Sequence, residues 1–296
     1  MLEKNLKHLG DTIHSIRVRL NISQKELAEG ICSQSQISKI EAGQISPYVD
    51  TLVKISKKLG ICPAYFLNIV YKDQYHFITS SKKSIRKAIS AKDYREVKRL
   101  VDKYEKHPSF QDIEEKQFLK WHKGIAVYYL DQKFHESVKI LREASSMKDS
   151  IQHTEQDIQI LNSLAIIYSE EEQWVDAKSK FEEAIEVFNK SIFIDDITIS
   201  IRLSYNLSKL LYSINEYNDG LFYCNKGLEQ CKKHHSSYLF GELLYQKGIT
   251  LSEIGNKREG IKHLKYAFNA FELLEKDDYL EITNQKINEL NSTSQM

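Results

Sequence analysis

The sequence predicts an all-α protein in which a bundle of five short helices is followed by an α-solenoid of about five helix pairs and a C-terminal capping helix. The 296 residues include only 3 prolines and 11 glycines, which favours helices over turn-rich β structure. Apolar residues recur at helical spacing along the chain, without the alternation of a strand. A helical segment also returns about every 40 residues from residue 94 onward, which is typical of a solenoid.

These patterns also predict the domain limits. We expect residues 1–70 to form the helical bundle, residues 71–81 to form a linker and residues 82–296 to form the repeat domain. In the bundle, Ser46-Pro47 predicts the start of the fourth helix, because proline is favoured at the first helical position. Pro63 likewise opens the fifth helix.

The clearest local signals lie in residues 23–43, SQKELAEGICSQSQISKIEAG. Ser23 is followed three residues later by Glu26, and Ser33 by Gln36. Both spacings are those of a capping box, which starts a helix. Two short helices separated by one turn form a helix-turn-helix, a unit that places its second helix in the major groove of DNA.

The second of these helices is predicted to present a polar face to DNA. Ile37 and Ile40 define its core side, and the opposite side and helix start carry polar residues. Gln36 is the weaker base reader, because it lies nearer the core and caps the helix, whereas Gln24 is placed to meet a phosphate. The alternative is a solvated face that contacts nothing. The candidate DNA-binding residues are Gln24, Gln34, Ser35, Gln36, Ser38 and Lys39.

This region resembles the repressor-type (Cro-like) helix-turn-helix of phage repressors and their bacterial relatives. The residues that carry the resemblance are Arg17, SQKELA at 23–28, the IS pair at 37–38, IEAG at 40–43 and Pro47. The resemblance implies that an arginine of the first helix pairs with the glutamate near the end of the recognition helix. The matching residues here are Arg17 and Glu41.

The net charge of +1 hides a local excess of positive charge. Residues 1–70 hold 9 Lys and Arg against 6 Asp and Glu, and residues 71–106 hold 11 against 5. This excess fits a nucleic-acid partner, although it is weak evidence by itself. No signal-peptide core and no run of about 18 apolar residues occur, so we expect a cytoplasmic protein without a membrane partner.

The sequence lacks the motifs of common catalytic and metal sites. It has no glycine-rich phosphate loop, no HExxH, no GxSxG and no His/Cys group at zinc spacing. We therefore expect no enzymatic activity, no metal and no cofactor. The four cysteines are interpreted as free thiols in a reducing compartment, with a redox role as the alternative. They are Cys32, Cys62, Cys224 and Cys231.

The repeated segment is the second helix of each predicted pair, best seen in WVDAKSKFEEAIEVF at 174–188. A short side chain returns within it at steps of 40, 40, 43 and 40, at Val97, Ser137, Ala177, Gly220 and Gly260. In the preceding helices, Trp121, Gly124 and Tyr128 follow a pattern that resembles tetratricopeptide repeats. There the small residue lets two helices approach closely, while the aromatic residues fill the space between pairs.

Polar residues also recur at one position of the first helices. His122, Asn162, Asn206 and Gln246 are spaced by 40, 44 and 40 residues. The first helices usually line the binding surface of a solenoid, and an amide that both donates and accepts suits an extended peptide backbone. We interpret the four as a peptide-binding ladder, with Lys92 as a candidate for a peptide carboxylate. The alternative is ordinary polar residues on a solvated face.

A repressor-type helix-turn-helix followed by about five tetratricopeptide-like repeats resembles the RNPP family of peptide-pheromone regulators, in its PlcR-like branch. The stretches that carry this resemblance are residues 23–43, FLKWHKGIAVYYL at 118–130, YNLSKLLYSINEYNDGL and LLYQKGITL. The resemblance implies a homodimeric quorum-sensing transcription factor that binds an inverted-repeat operator in double-stranded DNA. It also implies that a short signalling peptide binds the amides of Asn162, Asn206 and Gln246 and meets Lys92. The rival interpretation is a tetratricopeptide scaffold that acts on other proteins without DNA.

Overall fold

The computed structural model describes residues 2–148, 153–192 and 194–292, without the side chains of residues 2–5 and 68–75. Within these limits the regular structure is fifteen α-helices and one 3₁₀ helix at Pro108–Phe110, with no strand. The prediction of an all-α protein is therefore confirmed. The chain divides into two compact units, Met1–Ser90 and Ala91–Met296.

Five helices build the first unit around one apolar core. They are α1 (Leu2–Arg19), α2 (Gln24–Ala28), α3 (Gln34–Glu41), α4 (Val49–Lys58) and α5 (Pro63–Ser90). Helix α1 packs on α3 and α5, while α2 packs on α3 and α4. Ile13, Ile37 and Ile55 lie at the centre of this core, each with no exposed surface.

Both predicted capping boxes are present. The Ser23 hydroxyl accepts a hydrogen bond from the Glu26 N–H at 3.1 Å, and the Glu26 carboxylate accepts one from the Ser23 N–H at 2.7 Å. Ser33 and Gln36 repeat this exchange at 3.2 and 3.1 Å. As a result, α2 begins at Gln24 and α3 at Gln34, as the sequence predicts.

Helices α4 and α5 have limits that differ from those suggested by local signals. Tyr48 has an extended backbone (φ −63°, ψ 156°) and is itself the N-cap, so Pro47 lies outside α4. Helix α5 does not end near residue 70 but continues to Ser90, because no proline or glycine interrupts it after Pro63. Residues 71–81, expected to be a linker, are therefore helical, and the side chains of 71–75 lie outside the described residues.

A buried ion pair joins α1 to the end of α3, as the repressor-type resemblance implies. The Arg17 guanidinium donates two hydrogen bonds to the Glu41 carboxylate, at 2.6 and 2.9 Å, and a third to the Ile22 carbonyl at 2.8 Å. Both side chains of the pair are buried. Burial works to raise the pKa of Glu41, but the hydrogen bonds from Arg17, Gln24 and His14 and the charge of Arg17 hold that pKa below its ordinary value.

The close approach of α1 to α3 depends on Gly10. A Cβ atom at this position would lie 2.5 Å from the Glu41 carbonyl oxygen and would also overlap the Ile40 carbonyl oxygen. Both obstacles belong to the main chain of α3, so no side chain can rotate away to make room. The missing side chain of Gly10 therefore sets the distance between the two helices.

The second unit is a solenoid of helix pairs. Its helices are α6 (Tyr94–Glu105), α7 (Ile113–Asp131), α8 (Phe134–Ser145), α9 (Glu155–Glu170), α10 (Trp174–Lys190), α11 (Thr198–Ser213), α12 (Tyr217–Lys233), α13 (Phe240–Glu253), α14 (Lys257–Leu273) and α15 (Asp277–Ser292). The five repeated segments are α6, α8, α10, α12 and α14, and α15 packs on α14 as the predicted capping helix. Helices α7, α9, α11 and α13 also contact one another in succession, and we call the surface they share the inner face.

The repeat extends to the backbone of the turns. Two residues before each of the five repeated helices, one residue has a positive φ, between 53° and 88°. These residues are Lys92, Gln132, Glu172, Asn215 and Gly255, at the same steps of 40, 40, 43 and 40. Side-chain contacts follow the repeat too, since the Tyr128 hydroxyl donates to Glu171 at 2.9 Å and the Tyr212 hydroxyl donates to Glu253 at 3.2 Å.

We predict that Gly10→Ala destabilises the first unit. Alanine improves helix propensity by about 1 kcal/mol. The overlap with two main-chain carbonyl groups should cost more, about 1–3 kcal/mol, so the net change should be a loss of stability. Amide hydrogen exchange of α1 and α3 in the full chain measures the effect. Ser15→Ala, an exposed change on the same helix, should leave exchange nearly unchanged. Equal protection in both variants would contradict the proposed role of Gly10.

We predict that Glu41→Gln destabilises the first unit by about 3–5 kcal/mol at neutral pH, because it leaves the buried Arg17 charge without its partner. The folded-state pKa of Glu41 is lowered, so the stabilisation is complete above the ordinary value of 4.5 and is lost as the pH falls through the folded value. Urea unfolding of both proteins as a function of pH measures this. The unfolding free energies of the wild type and of Glu41→Gln should converge as the pH falls. The control is Asp50→Asn, which removes the exposed ion pair between Asp50 and Lys54 and should follow the wild type at every pH.

Candidate functional site

The polar face predicted for α3 is exposed. Gln34, Ser35, Gln36 and Lys39 are exposed and Ser38 is half-buried, while the apolar side of the helix is buried in the core. This places hydroxyl, amide and ammonium groups on the accessible side of the second helix of a helix-turn-helix. These are the groups that contact base edges and phosphates in the major groove.

Two of the candidate residues form one hydrogen-bonded unit, which the sequence did not predict. Gln24 Nε2 donates to Glu41 Oε2 at 2.9 Å, and Gln34 Nε2 donates to Gln24 Oε1 at 2.8 Å. The buried carboxylate therefore orients the Gln24 amide, which in turn orients the Gln34 amide at the N-terminal end of α3. Each amide has four hydrogen-bonding positions, so both keep capacity for a ligand.

Gln36 is exposed but engaged. Its side-chain oxygen accepts from the Ser33 N–H at 3.1 Å, so this amide stabilises the start of α3. A contact between Gln36 and DNA would compete with that capping bond. The geometry thus favours Gln34, Ser35, Ser38 and Lys39 over Gln36 as base-reading residues.

On the inner face of the second unit, the structure brings two ladder residues together. Asn206 Nδ2 on α11 donates to Asn162 Oδ1 on α9 at 3.0 Å, across 44 residues of sequence. Asn162 is buried and Asn206 is half-buried. The two amides therefore hold each other in place, and each retains hydrogen-bonding capacity beyond this one bond.

Gln246 continues the ladder on α13, and its side-chain nitrogen lacks a partner among the described residues. It is 5% exposed, and its amide nitrogen has no hydrogen-bond partner in the described part of the chain. Buried donors are almost always paired in native proteins, so an unpaired one marks a place where a ligand or water completes the bonding. Gln246 is therefore the ladder residue with the clearest unmet hydrogen-bonding demand.

His122 occupies a different environment from the three amides. It is 2% exposed, and its Nδ1 lies 2.8 Å from the Phe118 carbonyl oxygen, the geometry of an N–H that donates to that carbonyl. Its ring packs between Phe118 and Trp121, with centroid distances of 4.1 and 4.2 Å. This environment is typical of a histidine that stabilises helix packing, so it favours a structural role over contact with a ligand.

Lys92 is exposed in the turn that precedes α6. Its positive φ of 54° matches the equivalent turn residues of the other repeats, so the turn conformation belongs to the repeat and not to a ligand site. The ammonium group remains accessible to an anion. The contact of Lys92 with a peptide carboxylate therefore stays a prediction.

Sequence analysis missed two charged residues of the second unit, Arg202 on α11 and Glu242 on α13. Arg202 Nε donates to the Tyr238 hydroxyl at 2.7 Å, and another guanidinium nitrogen donates to Gln159 Oε1 at 3.2 Å. Glu242 is 5% exposed and accepts from Lys276 Nζ at 2.5 Å. Each lies four residues before a ladder amide, and a search for charges at that offset would have found both.

The cysteines have the environment of inert thiols where they are buried. Burial raises the pKa of Cys224 and of Cys231 to about 11, so both are protonated at neutral pH. Among the residues that the structure describes, no group of three or more His, Cys, Asp or Glu side chains is arranged to hold a metal ion. None of the described helices has the length and apolar character needed to cross a membrane.

Comparison with protein families identifies two matches. Residues 82–290 match the RNPP family C-terminal domain, and residues 13–67 match a helix-turn-helix domain. No curated protein matches the chain.

Among solved structures, Bacillus thuringiensis PlcR in complex with the peptide PapR7 and DNA is 28% identical, covering 94% of this chain and 99% of that chain with a TM-score of 0.77. The apo form of PlcR is 25% identical, with coverages of 95% and 99% and a TM-score of 0.69. The Streptococcus dysgalactiae pheromone receptor Rgg2 is 17% identical, with the same coverages and a TM-score of 0.63, and shows the shared fold alone.

The two domain matches follow the order in which the two units occur along the chain, and the C-terminal match spans most of its length. The similarity to PlcR extends over nearly the whole chain. These findings confirm the resemblance seen in the sequence, and the chain belongs to the RNPP family.

Proposed function

We propose that this protein is a cytoplasmic, quorum-sensing transcription regulator that binds DNA as a homodimer and responds to a short signalling peptide. The observation that carries the proposal is the exposed polar face of α3, held by a buried ion pair, in a chain that belongs to the RNPP family. The proposal assigns no enzymatic activity.

The DNA-binding half of the proposal rests on the first unit. Gln24 and Gln34 form an oriented pair of amides, and Ser35, Ser38 and Lys39 extend the accessible surface along α3. Glutamine pairs with adenine, and lysine pairs with guanine or phosphate. The serine hydroxyl can pair with hydrogen-bond donors or acceptors on the bases. One such helix reads about half an operator, so a homodimer would read an inverted repeat whose half-sites lie about one helical turn of DNA apart or a multiple of it.

The peptide-binding half rests on the second unit. Asn162, Asn206 and Gln246 place amides on three successive helices of the inner face, and Lys92 offers a cation for a carboxylate. The structure of PlcR was determined with the peptide PapR7 and DNA together, and PlcR is 28% identical to this chain. We extend peptide binding to this chain on that similarity and on the amide arrangement.

Peptide binding would control DNA binding through the dimer. A peptide that binds one arrangement of the two DNA-binding domains more tightly than another shifts the population toward the arrangement it prefers. The size of this shift is limited by the difference between its affinities for the two arrangements.

Selection of the bound fraction from a pool of random duplex DNA, with and without extract of the producing culture, tests the whole proposal. An enriched inverted repeat that depends on extract supports it. No enrichment under either condition would favour a protein–protein scaffold instead.

We predict that Ser35→Ala combined with Lys39→Ala abolishes the preference for the selected operator over random DNA, because both side chains lie on the accessible face of α3. Electrophoretic mobility shift measures the two affinities. The double variant should unfold like the wild type and should keep its affinity for peptide.

Lys57→Ala, an exposed lysine on α4, is the matched control for loss of one positive charge. This variant should lower the affinity for operator DNA and for random DNA by a similar, small factor. A double variant that binds the operator as tightly as the wild type would refute the assignment of the α3 face.

We predict that Asn162→Ala combined with Asn206→Ala weakens peptide binding roughly 5- to 150-fold, the effect of removing two amides that each contribute about 0.5–1.5 kcal/mol. The two amides bond to each other, so their joint removal leaves neither one unpaired. Isothermal titration calorimetry with peptides that the wild type retains from a random heptapeptide pool measures the change.

The control is Asn189→Ala combined with Asn225→Ala, which removes two exposed asparagines from α10 and α12, the second helices of their pairs. This variant should bind peptide like the wild type. If the inner-face variant did so as well, the amide ladder would have no role in peptide binding.

A further inference from the structure

Two buried side-chain atoms of the described residues have no hydrogen-bond partner, and both lie on α13. They are Oε2 of Glu242 and Nε2 of Gln246. The two residues are four positions apart, so their side chains lie on the same side of the helix, with Cβ atoms about 5–6 Å apart. Oε2 of Glu242 lacks a hydrogen-bond donor and Nε2 of Gln246 lacks an acceptor, so the two atoms have complementary requirements.

The Glu242 carboxylate is only partly compensated. Lys276 Nζ donates to Oε1 at 2.5 Å, while Oε2 is buried without a donor. A carboxylate has about four positions that accept hydrogen bonds. The lysine side chain is itself 35% exposed and also lies 5.6 Å from the centre of the Tyr279 ring, so solvent screens part of its charge. The buried oxygen therefore favours a further donor, and a positively charged donor above a neutral one.

Helix α13 is one of the four helices of the inner face, and Gln246 is the ladder residue next to Glu242. A peptide held by the ladder would reach this part of the face with its backbone. A carbonyl oxygen of the peptide can accept from Gln246 Nε2. A peptide ammonium group can donate to Glu242 Oε2.

We propose that Glu242 and Gln246 together bind a positively charged group of the peptide and the carbonyl group beside it. This inference rests on the proposed peptide binding and deepens it by naming a chemical property of the peptide. In the first residue of a peptide, only the Cα atom separates the ammonium group from the carbonyl carbon, so both groups can reach α13 at once. A lysine or arginine side chain supplies the same positive charge.

The assignment gives the bound peptide a direction. Lys92 precedes α6, at the N-terminal end of the repeat unit, whereas Glu242 lies on α13, the last of the four inner-face helices. With the peptide carboxylate at Lys92 and the positive charge at Glu242, the peptide runs with its amino end toward α13. Opposite charges at the two ends would also select against the reversed orientation.

Three pools of synthetic random heptapeptides test the inference with the full-length protein. The first pool has free amino termini and no Lys or Arg, the second is N-acetylated without Lys or Arg, and the third is N-acetylated and contains Lys and Arg. Retained peptides are quantified by mass spectrometry after size exclusion. We expect the wild type to retain the first or third pool about tenfold more than the second, and the two charged pools separate an amino terminus from a side chain as the source of charge.

Glu242→Gln keeps the size of the side chain and removes its charge, so it should abolish this preference while peptides of the uncharged pool remain bound. Glu253→Gln is the matched control, since Glu253 is an exposed acid on the same helix that accepts from Tyr212. It should keep the preference. Thermal unfolding of both variants checks the fold, and the comparison of pools on the wild type does not depend on any variant.

The outcomes distinguish the inference about Glu242 and Gln246 from the proposed peptide binding on which it rests. Retention of all three pools equally by the wild type would overturn the inference and leave peptide binding intact. A preference that survives in Glu242→Gln, or that is lost equally in Glu253→Gln, would overturn the role of Glu242. No retention of any pool would overturn the proposed peptide binding and, with it, the inference.

Discussion

The first unit depends on one buried carboxylate. Glu41, the last residue of α3, accepts from Arg17 of α1 and from Gln24 of α2, so three helices converge on a single negative charge. Inside a protein such bonds are strong, and the loss of any donor is costly, so the helices are held in one arrangement. The same network continues through Gln24 to Gln34 on the surface. The interaction that stabilises the unit therefore also orients the side chains proposed to contact DNA.

In the second unit the constraint is the regular spacing of the helix pairs. A turn with one left-handed residue precedes each repeated helix, and hydrogen bonds between residues about 41 to 44 positions apart join successive inner helices. Because each pair repeats the geometry of the previous one, residues at one position of the first helices fall into a row. Asn162 and Asn206 meet for this reason, although they are 44 residues apart in sequence, and Gln246 has the equivalent position on α13.

Glu41 and Glu242 are both buried, and they show how hydrogen bonding separates a structural charge from a proposed binding charge. Both oxygens of Glu41 are bonded within the protein, and its lowered pKa reflects a carboxylate that the fold stabilises. Glu242 is buried to a similar degree, but one of its oxygens is left without a donor. Native structures keep few such groups, and each one that remains calls for a specific reason, such as a role in function or a bound water or ion. The unmet hydrogen bond, and not the charge alone, distinguishes α13 as a place for a ligand.

The sequence by itself determined the features that depend on short-range chemistry. The capping boxes at Ser23 and Ser33 specified where α2 and α3 begin, and the 40-residue period specified the solenoid, because both signals act within one helix or one helix pair. The family resemblance implied the pairing of Arg17 with Glu41, but the tertiary structure decided which other polar groups meet. The Gln24–Gln34 bond, the burial of His122 between two rings and the orphaned oxygen of Glu242 result from packing between helices. Spacing along the chain can place a residue on a helix face, but only the packed neighbours determine whether its hydrogen bonds are satisfied.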